Sequence, residues 1–132
     1  MRIQIHNQKI EKIEQLSVNR INKETERVRE RIASLGTIEN VDENRLEMEI
    51  AILANRMDVT EECVRLKSHN KLFLESLDVE ETIGRKLNFL LQEMTREANT
   101  IGAKAYDAEI SHLVVDIKEE VEKLREQVQN IE

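Results

Sequence analysis

Apolar residues recur along this chain at steps of three and four, the spacing that gathers them on one face of an α-helix. The last third carries the pattern most cleanly. Ile110, Val114, Ile117, Val121, Leu124, Val128 and Ile131 alternate steps of four and three without a miss. That 3.5-residue repeat is a coiled-coil-like seam and predicts one helix from about residue 106 to the end. At 1.5 Å per residue it is about 40 Å long and needs a long partner. The first helix, predicted over residues 8–35 from Ile10, Ile13, Ser17, Ile21, Glu24, Val28, Ile32 and Leu35, is the expected one. Ser17 and Glu24 interrupt its apolar stripe, so it should pack weakly along its middle.

Three shorter helices are predicted from the rest of the pattern. Gly36 stands where a left-handed C-terminal cap belongs, and Asp42 is a reasonable N-cap for a helix carrying Leu46, Ile50, Leu53 and Met57. Asp58 reads as a stop and restart, with Glu61 three residues later able to complete a capping box. The helix that follows presents Val59, Cys63, Leu66, Phe73 and Leu77, with Asn70 in the same seam. A buried Asn without a partner costs about 1–3 kcal/mol, so Asn70 is expected to meet a facing helix or a wet gap. Residues 78–82 read as a linker, with Thr82 a cap. The next helix, from Ile83, buries Leu87, Leu90, Leu91, Met94, Ala98 and Ile101, and Gly102 is a kink point. The fold class is all-α: an elongated helical bundle or long helical hairpin, with scope for helix exchange between subunits.

Composition narrows this further. The chain has 132 residues, 36% of them charged, with three glycines and no proline. That is too little turn punctuation for a β-sandwich. No run approaches the roughly 18 apolar residues a membrane span needs. No charged-then-apolar N-terminal signal is present, and Cys63 is the single cysteine; both lead us to expect a cytoplasmic protein. The net charge of −7 argues against general nucleic-acid binding, which needs clustered positive charge. The acidity is uneven, however. Residues 1–40 carry eight Lys/Arg against six Asp/Glu, whereas residues 84–104 hold Arg85, Lys86, Arg96 and Lys104 against only Glu93 and Glu97.

Candidate chemistry is sparse. There is no Gly-rich phosphate loop, no CxxC and no HExxH. Glu109 and His112 make a single Glu-x-x-His, and bundle metal sites need two. The polar face of the fourth helix is more informative. Gln92, Arg96 and Asn99 form one line, and Glu93, Glu97, Thr100 and Lys104 a second. Carboxylates one turn apart repel by a few tenths of a kcal/mol, about what a metal or flanking Arg and Lys would offset. Such a face either binds a divalent ion and a phosphodiester or is solvated and laced with salt bridges, and the charge pattern alone favours the second.

Three blocks carry a family resemblance. GRKLNFLLQEMTREANTIGAKAYDAEI (residues 84–110), RLEMEIAILANRMDVTEECVRLKSH (residues 45–69) and the tail REQVQNIE (residues 125–132) stand in order and at natural spacing. Together they resemble the YicC/YloC family of bacterial proteins, over at least residues 42–132 and more loosely over the first helix. The resemblance implies an endoribonuclease, a hydrolase that cuts RNA with a divalent metal and assembles as a ring-like homo-hexamer. It also implies a chain twice this length with an N-terminal α/β half. Residues 1–41 are then the long linker helix, and residues 42–132 the YicC-like C-terminal helical domain, with the α/β half absent. Asn70 and His112 depart from the family pattern.

Among the matching positions, the needs of phosphodiester cleavage rank the roles. Catalytic candidates are Glu93, Glu97 and His69, the last because imidazole transfers protons near pH 7. Metal candidates are Glu93, Glu97 and Glu109, with Mn²⁺ or Mg²⁺ as the ion; Glu109 needs a bend at Gly102 or a neighbouring subunit to join. RNA-binding candidates are Arg65, Arg85, Arg96, Asn99 and Lys104. The resemblance implies RNA and further copies of the chain as partners, and no membrane or organic cofactor is expected. The alternative is a non-catalytic helical oligomerisation or RNA-clamping module whose chemistry depends on the missing α/β half. With Phe73, Phe89 and Tyr106 as its whole aromatic set, the chain is expected to hold RNA through backbone and shape rather than by base stacking.

Overall fold

The computed structural model describes residues 2–35, 42–77 and 83–131, except for the side chains of residues 2–5, 83 and 131. Among the described residues it has five helices and no strand: α1 (Arg2–Ser34), α2 (Glu43–Met57), α3 (Thr60–Leu77), α4 (Ile83–Ala105) and α5 (Ala108–Ile131). The all-α expectation holds. The linker over residues 78–82 and the Gly36 cap lie outside the described residues.

Cross-helix pairs give the packing directions. Asn7 and Glu14 on α1 meet Asn70 and Lys67 on α3, and Lys9 and Lys12 meet Asp116 and Glu109 on α5. Rising numbers on one helix face falling numbers on the other, so each pair is antiparallel. Glu62 and Arg65 on α3 meet Lys104 and Glu97 on α4 in the same sense. Gly102 on α4 lies against Val114 on α5. The first half of α1 thus joins α3, α4 and α5 in a four-helix bundle with every neighbour antiparallel.

The core is the predicted set with two corrections. Leu87, Leu90, Leu91, Met94, Ala98 and Ile101 of α4 are buried, as is the α5 seam from Ile110 to Val128, each side chain larger than alanine contributing about 1.5–3 kcal/mol. Leu77, expected in the α3 seam, is instead exposed. The α5 seam packs mainly into α4, with α1 along its flank. The physical reason is the two-residue connection after Ala105, which makes α4 and α5 a tight hairpin. On α1, Ile10 and Ile13 are fully buried, but Ile21, Val28 and Ile32 are only half-buried and Leu35 is exposed. Beyond Ser17 this helix leans on α2, where the Arg29 guanidinium donates to both Glu47 oxygens at 3.4 and 3.0 Å.

Local signals set the breaks. Asp42 Oδ1 accepts from the backbone N–H groups of Asn44 and Arg45, the expected N-cap of α2. Asp58 Oδ1 accepts from the Thr60 N–H at 2.9 Å and from the Thr60 hydroxyl, and these bonds hold its carboxyl below the usual range. Glu61 does not close the expected capping box with Asp58; it is exposed, 3.6 Å from Arg65. The helix runs on through Gly102 and stops three residues later. Tyr106 takes φ +48°, and Asp107 caps α5 by accepting from the Ile110 N–H at 2.9 Å.

Candidate functional site

Antiparallel docking of α3 on α4 sets the polar edges of the two helices against each other. Glu62, Arg65 and His69 fall at steps of three and four along α3, and Glu93, Glu97 and Lys104 lie along α4. Facing residues pair in order. Lys104 Nζ is 3.1 and 3.2 Å from the two oxygens of Glu62, a carboxylate with only 4% of its surface exposed. Arg65 Nε donates to Glu97 Oε1 at 3.0 Å, and other guanidinium nitrogens stand 3.6 Å from Glu61 and Glu62. The Glu97 bond is the main cause that raises the Arg65 pKa.

One turn further along α3 lies the group with the most chemical potential. His69, Glu93 and Glu97 each offer a donor atom, and these atoms lie within 4.8 Å of one another. Glu97 is buried and the other two are half-buried. His69 Nδ1 is shut off from solvent and has no hydrogen-bond partner among the described residues. One imidazole nitrogen from α3 and two carboxylate oxygens from α4 thus converge. Such a set fits a divalent cation, because a shared positive charge relieves the repulsion of the carboxylates and the cation uses the nitrogen lone pair. Arg96, 4.0 Å from Glu93, stands at the rim. At the other end of the ladder, Asn55, Asp58, Glu61, Glu62 and Lys104 line a cleft of about 250 Å³.

The predicted site residues therefore divide three ways. His69, Glu93 and Glu97 come together. Arg65 and Lys104 join the same ladder as counter-ions of Glu97 and Glu62. Arg85, Arg96 and Asn99 stand exposed on the outer side of α4. Glu109 is not brought to the cluster: the chain breaks at Tyr106 rather than bending at Gly102, and the Glu109 carboxylate lies 3.8 Å from Lys12 of α1. His112 is exposed one turn beyond it. Sequence reasoning gave Glu62 no role. Its signal was its place seven residues before His69 and three before Arg65, on the same edge of α3.

The family described as "Endoribonuclease YicC-like, C-terminal" matches residues 3–132, which takes in α1 as well as the rest of the bundle. The chain is similar to a protein named "Probable endoribonuclease YicC" from Clostridioides difficile (strain 630), with 45% identity across 100% of this chain and 45% of that protein. It is likewise similar to the protein of that name from Haemophilus influenzae, with 43% identity across 70% of this chain and 32% of the relative. The chain thus spans less than half the length of these relatives.

Proposed function

Since the chain belongs to the YicC-like endoribonuclease C-terminal family, we propose that it is the helical domain of a bacterial endoribonuclease that cleaves RNA phosphodiester bonds with a divalent metal. The observation that carries this reading is the convergence of His69, Glu93 and Glu97 within 4.8 Å. The curated relatives' printed name, probable endoribonuclease, supports RNA as the substrate.

His69, Glu93 and Glu97 would hold the metal. An imidazole in the donor set favours Mn²⁺ over Mg²⁺, which prefers oxygen ligands and keeps its waters. When bound, such an ion supplies charge neutralisation at a phosphate oxygen and a water of lowered pKa. The chain's own groups do the rest. Arg65, hydrogen-bonded to Glu97, orients that carboxylate and carries a forked cation beside the site. Arg96 at the rim suits a non-bridging phosphate oxygen.

The test is Mn²⁺ titration of the chain by calorimetry, beside cleavage of a structured RNA. Glu93→Gln and Glu97→Gln keep the shape and remove the charge. Each is expected to weaken Mn²⁺ binding at least tenfold and to lower cleavage in proportion. Unchanged metal affinity in both variants would overturn the assignment.

A second reading has its own observation. Arg65 and Lys104 already neutralise Glu97 and Glu62 within the fold. This favours a non-catalytic clamp or oligomerisation module, active only with a further domain. That reading expects salt-sensitive RNA binding and a homo-oligomer by light scattering, with no cutting under any metal.

A further inference from the structure

Glu93 and Glu97 are the only acidic residues of α4, and both turn toward α3. The outer side of the same helix, which faces away from the core and borders that edge, is built differently. Arg85, Phe89, Gln92, Arg96 and Asn99 succeed one another at steps of four and three, so they form one stripe, and all five are exposed. Phe89 has 59% of its surface open to solvent although it is a large apolar side chain in a helix where Leu87, Leu90, Leu91, Met94 and Ile101 are buried. It stands one helical turn before Glu93, about 6 Å along the axis. Arg85 lies one turn to one side of it and Arg96 two turns to the other. An exposed aromatic ring between cations is the combination that holds unpaired nucleic acid: the ring offers a π-face to a base, and the guanidinium groups meet the flanking phosphates.

We infer that Phe89 is a base-stacking platform, a departure at this one exposed ring from the backbone-and-shape recognition expected of so aromatic-poor a chain, and that the Arg85–Phe89–Arg96 stripe binds an unpaired stretch of RNA beside the His69–Glu93–Glu97 cluster. The inference rests on the RNA reading above and deepens it, because it makes single-stranded rather than duplex RNA the ligand of this face. A base within a duplex keeps its π-faces against its neighbours and cannot cover the ring. The positive charge of the stripe selects a polyanion over an apolar partner.

The chain contains no tryptophan, so Phe89→Trp introduces a single fluorophore at the site. The experiment uses the full chain in EDTA, where metal-assisted cleavage is absent, with oligoadenylate and oligouridylate 12-mers and a 12-base-pair RNA duplex. Phe89→Trp is expected to bind the single strands as the parent does, with its fluorescence quenched on binding and quenched little by the duplex. Phe89→Ala is expected to weaken single-strand affinity by roughly 5- to 100-fold, as loss of one stacked base does. If Phe89→Ala binds like the parent while Arg96→Ala does not, the stacking inference falls and the RNA reading stands. If the parent binds none of the three RNAs, both fall. If Phe89→Ala changes the particle mass in light scattering and leaves RNA affinity intact, the ring belongs to an interface between copies and the inference is overturned.

Discussion

His6 sits fully buried at the start of the bundle, and neither ring nitrogen has a well-formed hydrogen bond among the described residues. Asn70 of α3 lies beside it, Glu120 reaches toward it from α5, and Lys9 is the nearby charge on its own helix. Burial is the largest influence and lowers its pKa; Glu120 opposes the shift. The sign of the linkage follows. The unfolded chain protonates its histidine near pH 6.5, whereas the folded one resists until a lower pH. The unfolded state therefore binds more protons as pH falls below about 6.5, and stability is lost from there down through the folded pKa. Urea midpoints at pH 7.5, 6.5 and 5.5 should fall more steeply for the parent than for His6→Gln; equal slopes would oppose this account. Asn70, next to His6, is settled on one side only, because its buried Oδ1 has no well-formed hydrogen bond among the described residues. Its Nδ2 donates to Asn7 Oδ1 at 3.1 Å across the α1–α3 interface, so the facing-helix alternative expected for it holds. Cys63 is the inert counterpart. Fully buried, its thiol is pushed up to about 12 by desolvation, which leaves no thiolate for chemistry at neutral pH.

At the level of elements, α4 serves three neighbourhoods at once. One face is core, one edge forms the ladder with α3, and the outer stripe is cationic. Its hydrophobic stripe was legible in the sequence because helical periodicity is a local property. Its termination was not. Gly102 looked like the break, but its backbone is helical and the left-handed residue is Tyr106, 73% exposed. The stop comes from Asp107, whose side chain can satisfy the first N–H groups of a new helix only if the chain reverses before it. A consequence can be measured at Gly102. A Cβ there would meet the Val114 methyls at 3.5 and 4.0 Å, ordinary contact distances. Gly102→Ala should therefore stabilise the protein by roughly 0.5–1 kcal/mol through lower backbone entropy in the unfolded chain. Chemical denaturation checks this; a lower midpoint would mean that the α4–α5 contact has no room for the methyl.

Across the whole molecule, charge is sorted rather than blended. Arg65 and Lys104 are consumed by Glu97 and Glu62, while Arg85, Lys86 and Arg96 face solvent on α4. About three cations are then available to phosphates. With about 0.7 counterions released per single-strand phosphate, log affinity for single-stranded RNA should fall against log salt with a slope of about −2. Fluorescence anisotropy between 50 and 300 mM KCl measures it, and a slope near zero would remove these residues from RNA binding. That a chain of net charge −7 can present such a face follows from the acidic residues being concentrated elsewhere. Among the described residues no helix is long and apolar enough to cross a membrane.

Periodicity and capping chemistry along the chain were enough to specify five helices, the Asp42 and Asp58 breaks and nearly all of the core, because each depends on residues a few positions apart. The sequence also singled out His69, Glu93 and Glu97 individually. Their meeting was decided only in three dimensions. Glu93 and Glu97 are neighbours on one helix, but His69 reaches them through the antiparallel register of α3 on α4, which is set by which apolar side chains interlock across the core. The same register paired Arg65 and Lys104 as counter-ions with Glu97 and Glu62 and left Glu109 on another helix facing Lys12. It also left Phe89 in solvent. A linear pattern records the angle of a residue around its own helix, and only the packing of the other helices determines which of those angles is covered.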